Sequence, residues 1–379
     1  MAAGEPSRSR RKKRMITSIT IENFKNIRRQ QIDLEPLTVF VGANGSGKTS
    51  VLEAINVAVR TATGSPEKVP PYRPNCDWLY TRGGHGDLKI TFATEHGQFW
   101  VTASPPIAFP PPIELLGKSQ WAFAVRCSTD LRLEDAVALA KSTVFLGLSA
   151  SKLAKPSYSA LNPPTLAYNG GGLASVLAHM ALNAPDVFDE LVSRLRELVP
   201  QLKRIRFKKA AVKLPEKELV RFGEETMRRR FSRTYQGEEL LFDFENGSNI
   251  LAQTASEGTL VLLGLLTVVL RPERPDVLLL DDLEHGLHPL AQQSLLEMLR
   301  KLMQTFPRLQ IVATTHSPYL LNYLSPQQVR IMAIGPDGYT RCGRLTDHPK
   351  FSTWKDEMAP GEMWSLFGEK WLAEKGAAE

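Results

Sequence analysis

The chain has 379 residues, 42% of them hydrophobic, and a formal net charge of +7, which suits one large or two modest domains with buried cores. Its three cysteines, Cys76, Cys127 and Cys342, are far apart, odd in number and outside any C-x-x-C pair, which argues against a disulfide frame or a thiolate metal site. The longest apolar run, Thr259 to Leu270, is about half of the roughly 20 residues a membrane helix needs, and the basic N-terminus lacks the apolar stretch of a signal peptide. A soluble, cytoplasmic protein is expected.

Residues 1–14 hold six basic residues, Arg8, Arg10, Arg11, Lys12, Lys13 and Arg14, against Glu5, so +5 of the +7 sits in this tail. It reads as a disordered solubilising arm or as a segment attracted to nucleic-acid phosphates. Ile16 to Phe24 alternates apolar and polar residues as a strand does. Leu37 to Val41 is a second, buried strand that runs into Gly42-Ala43-Asn44-Gly45-Ser46-Gly47-Lys48-Thr49, and Thr49 to Arg60 has helical apolar spacing. Residues 61–80 form a proline-bearing loop. Leu88 to Ser104 reads as a hairpin turning near Glu95-His96-Gly97, and Pro105 to Pro112 cannot sit inside a sheet. Residues 113–170 carry weak signals.

Leu173 to Leu198 predicts two helices broken at Asn183 to Asp186, and Lys203 to Lys213 interleaves basic and apolar residues as on a strand with one wet face. Glu238 to Phe244 predicts a strand, Ala255 to Leu270 an apolar helix, and Asp276 to Leu280 a short strand in a central parallel position. Pro289 to Met303 is an amphipathic helix and Leu309 to Thr314 a further buried strand. This alternation predicts an α/β fold with a largely parallel central sheet, an antiparallel N-terminal subsheet and a helical lobe.

The glycine loop fits G-x-x-x-x-G-K-[ST] in full, between a strand and a helix. Gly42, Gly45 and Gly47 let backbone N–H groups approach phosphate oxygens; Asn44, Ser46 and Ser50 complete the cradle. Lys48 supplies a point charge to the β- and γ-phosphates, and the Thr49 hydroxyl is a Mg²⁺ ligand. Asp281 and Asp282 close the run Val277-Leu278-Leu279-Leu280 at the carboxyl edge of a sheet. There Asp281 would hold Mg²⁺ and Asp282 would orient the attacking water; two exposed loop aspartates are the plainer reading. With Glu284, His285 and His288 they also resemble a transition-metal cluster, but five groups within eight residues would need a turn to converge on one ion. His316, in Thr314-Thr315-His316-Ser317-Pro318, is placed to sense a γ-phosphate, while Ser317 before Pro318 reads as a helix N-cap. Ser256-Glu257-Gly258-Thr259 opens the apolar helix as a second anion-binding turn.

These motifs, in this order, resemble the ABC-type ATPase heads of the RecF, SMC and OLD-like group. Ile19 to Lys25 looks like the group's opening strand, Ser256 to Thr259 stands where its signature belongs, and Asp281 to Pro289 resembles its D-E-P-E-x-x-L-H-P stretch. Thr314 to Pro318 resembles its switch-histidine motif. Tyr168-Asn169-Gly170-Gly171-Gly172-Leu173 looks like the group less specifically. The resemblance covers roughly residues 15–104 and 236–335. It implies a homodimer or higher homo-oligomer in which the loop of one chain and Ser256, Glu257, Gly258 and Thr259 of the other sandwich ATP. Five stretches follow: a disordered basic tail at 1–14, the N-terminal part of the head at 15–112, an inserted helical and basic lobe at 113–235, the C-terminal part of the head at 236–350, and an extension at 351–379.

One departure stands out: the group usually has Glu where this chain has Asp282. A carboxylate shorter by one methylene predicts slow hydrolysis, unless Glu284 contributes. Lys203–Arg233 holds twelve basic residues against four acids, with Phe207, Phe222 and Phe231 interleaved. Within it Lys203, Arg204, Arg206, Lys208, Arg228, Arg229 and Arg230 are candidates for tracking a nucleic-acid backbone; a solvated strand face is the plainer reading. The resemblance implies an ATP- and Mg²⁺-dependent switch that works with DNA and a separate nuclease or effector in anti-phage defence or repair, since the chain ends soon after the head without room for a nuclease domain. A hydrolysis-poor ATP-clamped scaffold and a transporter ATPase subunit are the alternatives. Gln120 is a weak candidate for the glutamine-loop role. Trp364, Phe367 and Trp371 either pack on the head or dock a partner.

Overall fold

A computed structural model describes residues 15–64, 79–81, 83–104, 122–222 and 225–374, with backbone alone at 122–123 and 217–230. The basic tail, most of the 61–80 loop, Pro105 to Pro112 and Gln120 lie outside the described residues. The chain divides into two compact units, one from the described parts of Met1–Phe145, Asp276–Leu283 and Arg300–Glu379, the other from Leu146–Pro275 and Glu284–Leu299.

The first unit begins with β1 (Ile16–Phe24), β2 (Ile27–Asp33), β3 (Leu37–Gly42) and α1 (Lys48–Ala62). It continues with β4 (Leu88–Thr94), β5 (Gly97–Ser104), β6 (Ala122–Cys127), α2 (Leu133–Lys141) and β7 (Thr143–Leu146). In the second unit follow α3 (Ala150–Leu153), α4 (Leu173–Asn183), α5 (Pro185–Leu198), β8 (Leu202–Phe222), β9 (Glu225–Phe244), β10 (Gly247–Leu251) and α6 (Glu257–Leu270). After β11 (Val277–Leu280) and α7 (Pro289–Thr305) come β12 (Gln310–Thr315), α8 (Pro318–Leu321), β13 (Val329–Ile334) and β14 (Thr340–Arg344). The chain closes on α9 (Phe351–Trp354), α10 (Pro360–Phe367) and α11 (Lys370–Glu374).

Two sheets build the first unit. The antiparallel sheet runs β2-β1-β4-β5-β6 and the six-stranded sheet β14-β13-β3-β12-β11-β7. Pairing is parallel from β13 through β3 and β12 to β11, and antiparallel between β13 and β14. Every residue of β3, β11 and β12 is buried, as expected of parallel strands covered on both faces. β11 lies inside the sheet but one strand from its edge, not at its centre.

Helix α1 explains why both sheets belong to one core. Its Val51, Leu52, Ile55 and Ala58 are fully buried in the same cluster as Ile21, Phe92 and Phe99 of the antiparallel sheet and Phe40, Leu279 and Val312 of the parallel one. Gln310 makes a polar tie between the sheets. Its side chain accepts from the Ile16 N–H at 3.0 Å and donates to the Ile16 carbonyl at 2.8 Å, which satisfies a fully buried amide.

In the second unit, α6 is buried without interruption from Thr259 to Leu270, so its lack of an amphipathic stripe reflects burial on all sides. Helices α4 and α5 break between Asn183 and Pro185, where the sequence places the break. The strands expected at Lys203 to Lys213 and Glu238 to Phe244 prove to be the root of a much longer antiparallel ribbon. β8 and β9 are 21 and 20 residues long, about 65–70 Å at roughly 3.3 Å per residue. The root is anchored by Phe207 against Phe188 and by Tyr235 stacked on Tyr158 at 4.5 Å.

Two aromatic residues of the C-terminal stretch, Phe367 and Trp371, pack on His348 within the first unit. Phe367 stacks on His348 at 4.8 Å and Trp371 meets the same ring edge-on at 5.2 Å. No helix among the described residues is long and apolar enough to cross a membrane.

Candidate nucleotide site

The glycine loop leaves the carboxyl end of β3 and enters α1. Gly47 takes φ 103°, a left-handed value open to glycine. A Cβ there would stand 2.5 Å from the Thr340 Oγ1, so the space is closed as well. Thr340 donates that hydroxyl to the Ser46 carbonyl at 3.0 Å, and its N–H bonds the Asn26 carbonyl at 2.8 Å. Asn26 in turn donates to the Gly45 carbonyl at 3.3 Å. β14 and the β1–β2 turn thus hold the loop from behind. Sequence reasoning missed Thr340 and Asn26, because only pairing across the sheets brings them to the loop.

The loop fits an anion. Helix α1 starts without a side-chain cap and without an acidic residue in its first turn. An N-terminus built this way leaves backbone donors and the positive dipole end for a ligand. Among the described residues the buried Ser46 hydroxyl has no hydrogen-bond partner. Lys48 is buried at 5% exposure and donates to the Gly42 and Ala43 carbonyls at 2.8 and 2.9 Å. Ala43, Asn44 and Gly45 are exposed at the rim and Ser50 is half-buried.

β11 lies beside β12, which lies beside β3, so Asp281 and Thr314 emerge at the same sheet edge as the loop. Thr49 donates its hydroxyl to the Asp281 Oδ1 at 3.0 Å, and Thr314 donates to the same oxygen at 2.8 Å. The Thr314 oxygen accepts the Asp282 N–H at 2.9 Å, and its carbonyl accepts the Leu283 N–H at 3.0 Å. Asp282 itself sits at φ 50°, one of four non-glycine residues in the left-handed region among the described residues, where Asp is among the tolerated types. Its Oδ1 lies 3.9 Å from the His316 Nε2, both side chains being substantially exposed. Ser317 meets the plainer expectation too: its Oγ accepts the Leu320 N–H at 3.3 Å and caps α8. The structure therefore gathers Thr49, Asp281, Asp282, Thr314 and His316 with the loop.

The other predicted residues form a second locus. Ser256 caps α6, accepting the Thr259 N–H at 3.2 Å, and its hydroxyl meets the Thr259 hydroxyl at 2.7 Å. This turn rests on the segment after the paired aspartates. Gly286 has φ 72°, and a Cβ there would press on Glu257 Oε2 at 2.9 Å. The Glu284 carbonyl accepts the Leu287 N–H at 2.9 Å, closing that segment into a turn. The exposed His288 turns its Nδ1 to the Leu290 N–H at 3.4 Å. Among the described residues no group of three or more His, Cys, Asp or Glu is arranged to hold a metal ion.

The basic candidates lie on the ribbon. Lys203, Arg204, Arg206 and Lys208 are at its root, where Arg206 pairs with the buried Asp243 at 2.6 Å. Arg228, Arg229 and Arg230 belong to the outer part of β9.

Comparison with known proteins agrees with this architecture. Two family models match: "AAA ATPase domain" over residues 15–93, which hold the loop, and "AAA domain, putative AbiEii toxin, Type IV TA system" over residues 131–322, which hold Ser256, the paired aspartates and His316. Among curated proteins, the Retron Vc95 probable ATPase of Vibrio cholerae is 33% identical over 100 residues, covering 23% of this chain and 19% of that protein. The DNA replication and repair protein RecF of Chlorobium luteolum is 32% identical over 94 residues, covering 22% of this chain and 25% of that protein. The chain thus spans a quarter or less of the length of these relatives. Among solved structures, the SmcHead bound to the C-winged helix domain of ScpA matches with a TM-score of 0.55 and 14% identity, over 89% of this chain and 99% of that one. An Smc head domain with an extended coiled coil, bound to the C-terminal domain of ScpA derived from Pyrococcus furiosus, gives a TM-score of 0.55 and 12% identity, over 91% and 100%. With the second family model spanning just over half of its residues, the chain belongs to that AAA-domain family, and its fold is like that of the solved SMC heads.

Proposed function

We propose that the chain binds ATP with Mg²⁺ at the loop and closes on it as a homodimer, so that nucleotide state switches DNA-related work by a separate effector. The observation that carries this reading is the shared oxygen of Asp281, met by Thr49 from the helix after the loop and by Thr314 from the neighbouring strand. Two hydroxyls and a carboxylate at a sheet's carboxyl edge, beside a buried lysine and an uncapped helix, suit a Mg²⁺-nucleotide. Thr49 and Asp281 would hold the ion, which draws charge from the phosphates. Lys48 would exchange its carbonyl partners for phosphate oxygens. Asp282 would orient water, and His316, 3.9 Å away, would respond to the terminal phosphate. Ser256 to Thr259 of the second copy would close the site, as the family resemblance implies. The family match to a toxin–antitoxin description, with relatives named for a retron and for DNA repair, supports a defence or repair setting.

Hydrolysis would be slow. Asp282 is one methylene shorter than the Glu usual in this group, and misplacement by about 1 Å can cost about 100-fold in rate. The same shortening favours a second reading, an ATP-clamped scaffold that turns over negligibly.

The test is ATP turnover by the purified chain, alone and with double-stranded DNA, beside Lys48→Ala. Slow turnover that DNA raises and Lys48→Ala abolishes fits the switch. Many turnovers per second without a partner would contradict slow hydrolysis, and tight ATP binding with no turnover in either condition would favour the scaffold.

A further inference from the structure

The β8–β9 register separates the charges of the ribbon by face. From Arg204 opposite Asp243 to Phe222 opposite Glu225 it runs without a break. Alternate residues along a strand share a face, and directly opposed residues share one too. At the root, basic residues meet acids: Arg204 is opposite Asp243, Lys208 opposite Glu239 and Lys209 opposite Glu238. Arg206–Asp243 and Lys209–Glu238 are ion pairs, each at 2.6 Å.

From Lys213 outward the pattern changes. Among the described residues, one face takes five basic residues, Lys213, Lys217, Arg221, Arg228 and Arg230, and no acid. The opposite face takes Glu216, Glu218 and Glu225 with Arg229 and Arg233. Lys217 stands directly across from Arg230, an arrangement that destabilises a strand pair unless an anion lies between. Among the described residues β8 pairs with β9 alone and is an edge strand. Lysines often protect such an edge from pairing, but that role does not require all of the outer unmatched charge on one face.

We propose that this one face of the outer ribbon binds the phosphate backbone of nucleic acid. The inference rests on the DNA-linked reading above and names where DNA would meet the chain. Lys213 to Arg221 spans eight residues, about 27 Å at roughly 3.4 Å per residue. Five charges along it come at about one per 5 Å, a density suited to a strand that carries a phosphate every 3.4 Å or so of helix axis. Between the basic positions the same face has Thr226, Ser232 and Thr234, hydroxyls that commonly bond phosphate oxygens. Pro215 and Leu219 are the apolar residues at the register positions of this face. Arg229 is flanked in sequence by two members of the face yet falls on the other side, opposite Glu218. The root residues Lys203, Arg204, Arg206 and Lys208 are outside the proposed site.

The test is binding of a fluorescent DNA duplex by the full chain across a salt series. Two variants are compared with wild type: K217Q/R221Q/R228Q/R230Q on the proposed face, and R229Q/R233Q on the other. Melting temperatures show that both fold. The first variant should lose about 100-fold or more at about 0.1 M salt, with a log–log salt slope shallower by about 3 to 4, since each phosphate contact contributes about 0.9. The second should stay within about fivefold. Wild-type binding that the first variant retains, or that both variants lose equally, overturns the inference and leaves the ATP-switch reading standing. Wild-type chain that binds no duplex, with or without ATP, overturns both the inference and the DNA part of that reading. Displacement of the duplex by poly-L-glutamate as readily as by unlabelled duplex overturns the assignment in favour of an acidic protein.

Discussion

Thr314 holds both aspartates of the candidate nucleotide site at once: its hydroxyl donates to the Asp281 Oδ1 at 2.8 Å and accepts the Asp282 N–H at 2.9 Å. One side chain thereby fixes both the proposed metal ligand and the turn that presents Asp282, the proposed water-orienting residue. Thr314→Val keeps the shape and removes both bonds. Hydrogen bonds to charged groups contribute about 1.5–3 kcal/mol, so turnover should fall roughly 10- to 100-fold. ATP binding, measured by fluorescent-nucleotide titration, should change far less. Equal losses in binding and turnover would mean that Thr314 supports the loop as a whole.

Asp282→Glu tests the shortened carboxylate. If its length limits the rate, the longer side chain should raise turnover by about 10-fold or more, up to the roughly 100-fold that a 1 Å misplacement can cost. A rate unchanged or lowered in single-turnover measurements would show that the turn at φ 50° is already matched to Asp.

Gly47→Ala should abolish nucleotide binding. It combines a backbone at φ 103° with a Cβ 2.5 Å from the Thr340 Oγ1. The left-handed conformation alone costs about 1–2 kcal/mol for a residue with a Cβ. The double variant Gly47→Ala/Thr340→Ala should regain part of the binding in calorimetric titration, because the clash goes while the strain stays. No difference between single and double variants would contradict the contact.

The ribbon root gives a pH-dependent prediction. The Asn249 N–H and then the Arg206 guanidinium hold the Asp243 carboxyl below the usual carboxylate range, outweighing its burial. A depressed carboxylate stabilises the fold above its unfolded value near 3.8 and loses that contribution as the pH falls through the folded value. Asp243→Ala should therefore melt below wild type at pH 7, with the gap closing toward pH 3. A gap of the same size at both pH values would remove charge as the cause.

The candidate nucleotide site was legible as a geometry because its residues are local in sequence. Gly42 to Thr49, Val277 to Asp282 and Thr314 to Pro318 each state a strand end and its polar tip within eight residues, and parallel pairing brings the three tips together. Thr340 and Asn26 were not legible: they brace the loop only through the pairing of β13 with β14 and the turn between β1 and β2. The ribbon was half legible. Its root alternates apolar and basic residues, but from Leu214 outward charged residues occupy both faces and no core-facing period marks a strand. Register, which sequence alone does not give, is what splits Arg228 and Arg230 from Arg229.

ATP-driven closure of two copies is read most directly as molar mass by light scattering with and without Mg-ATP. Wild type should pass from monomer mass to twice that mass on adding ATP. Lys48→Ala should stay monomeric because it fails to hold the phosphates. Ser256→Arg should bind ATP yet stay monomeric, because the α6 cap would no longer present an open turn to the partner's nucleotide. A mass that does not respond to ATP in wild type, or that doubles equally in Ser256→Arg, would contradict the account.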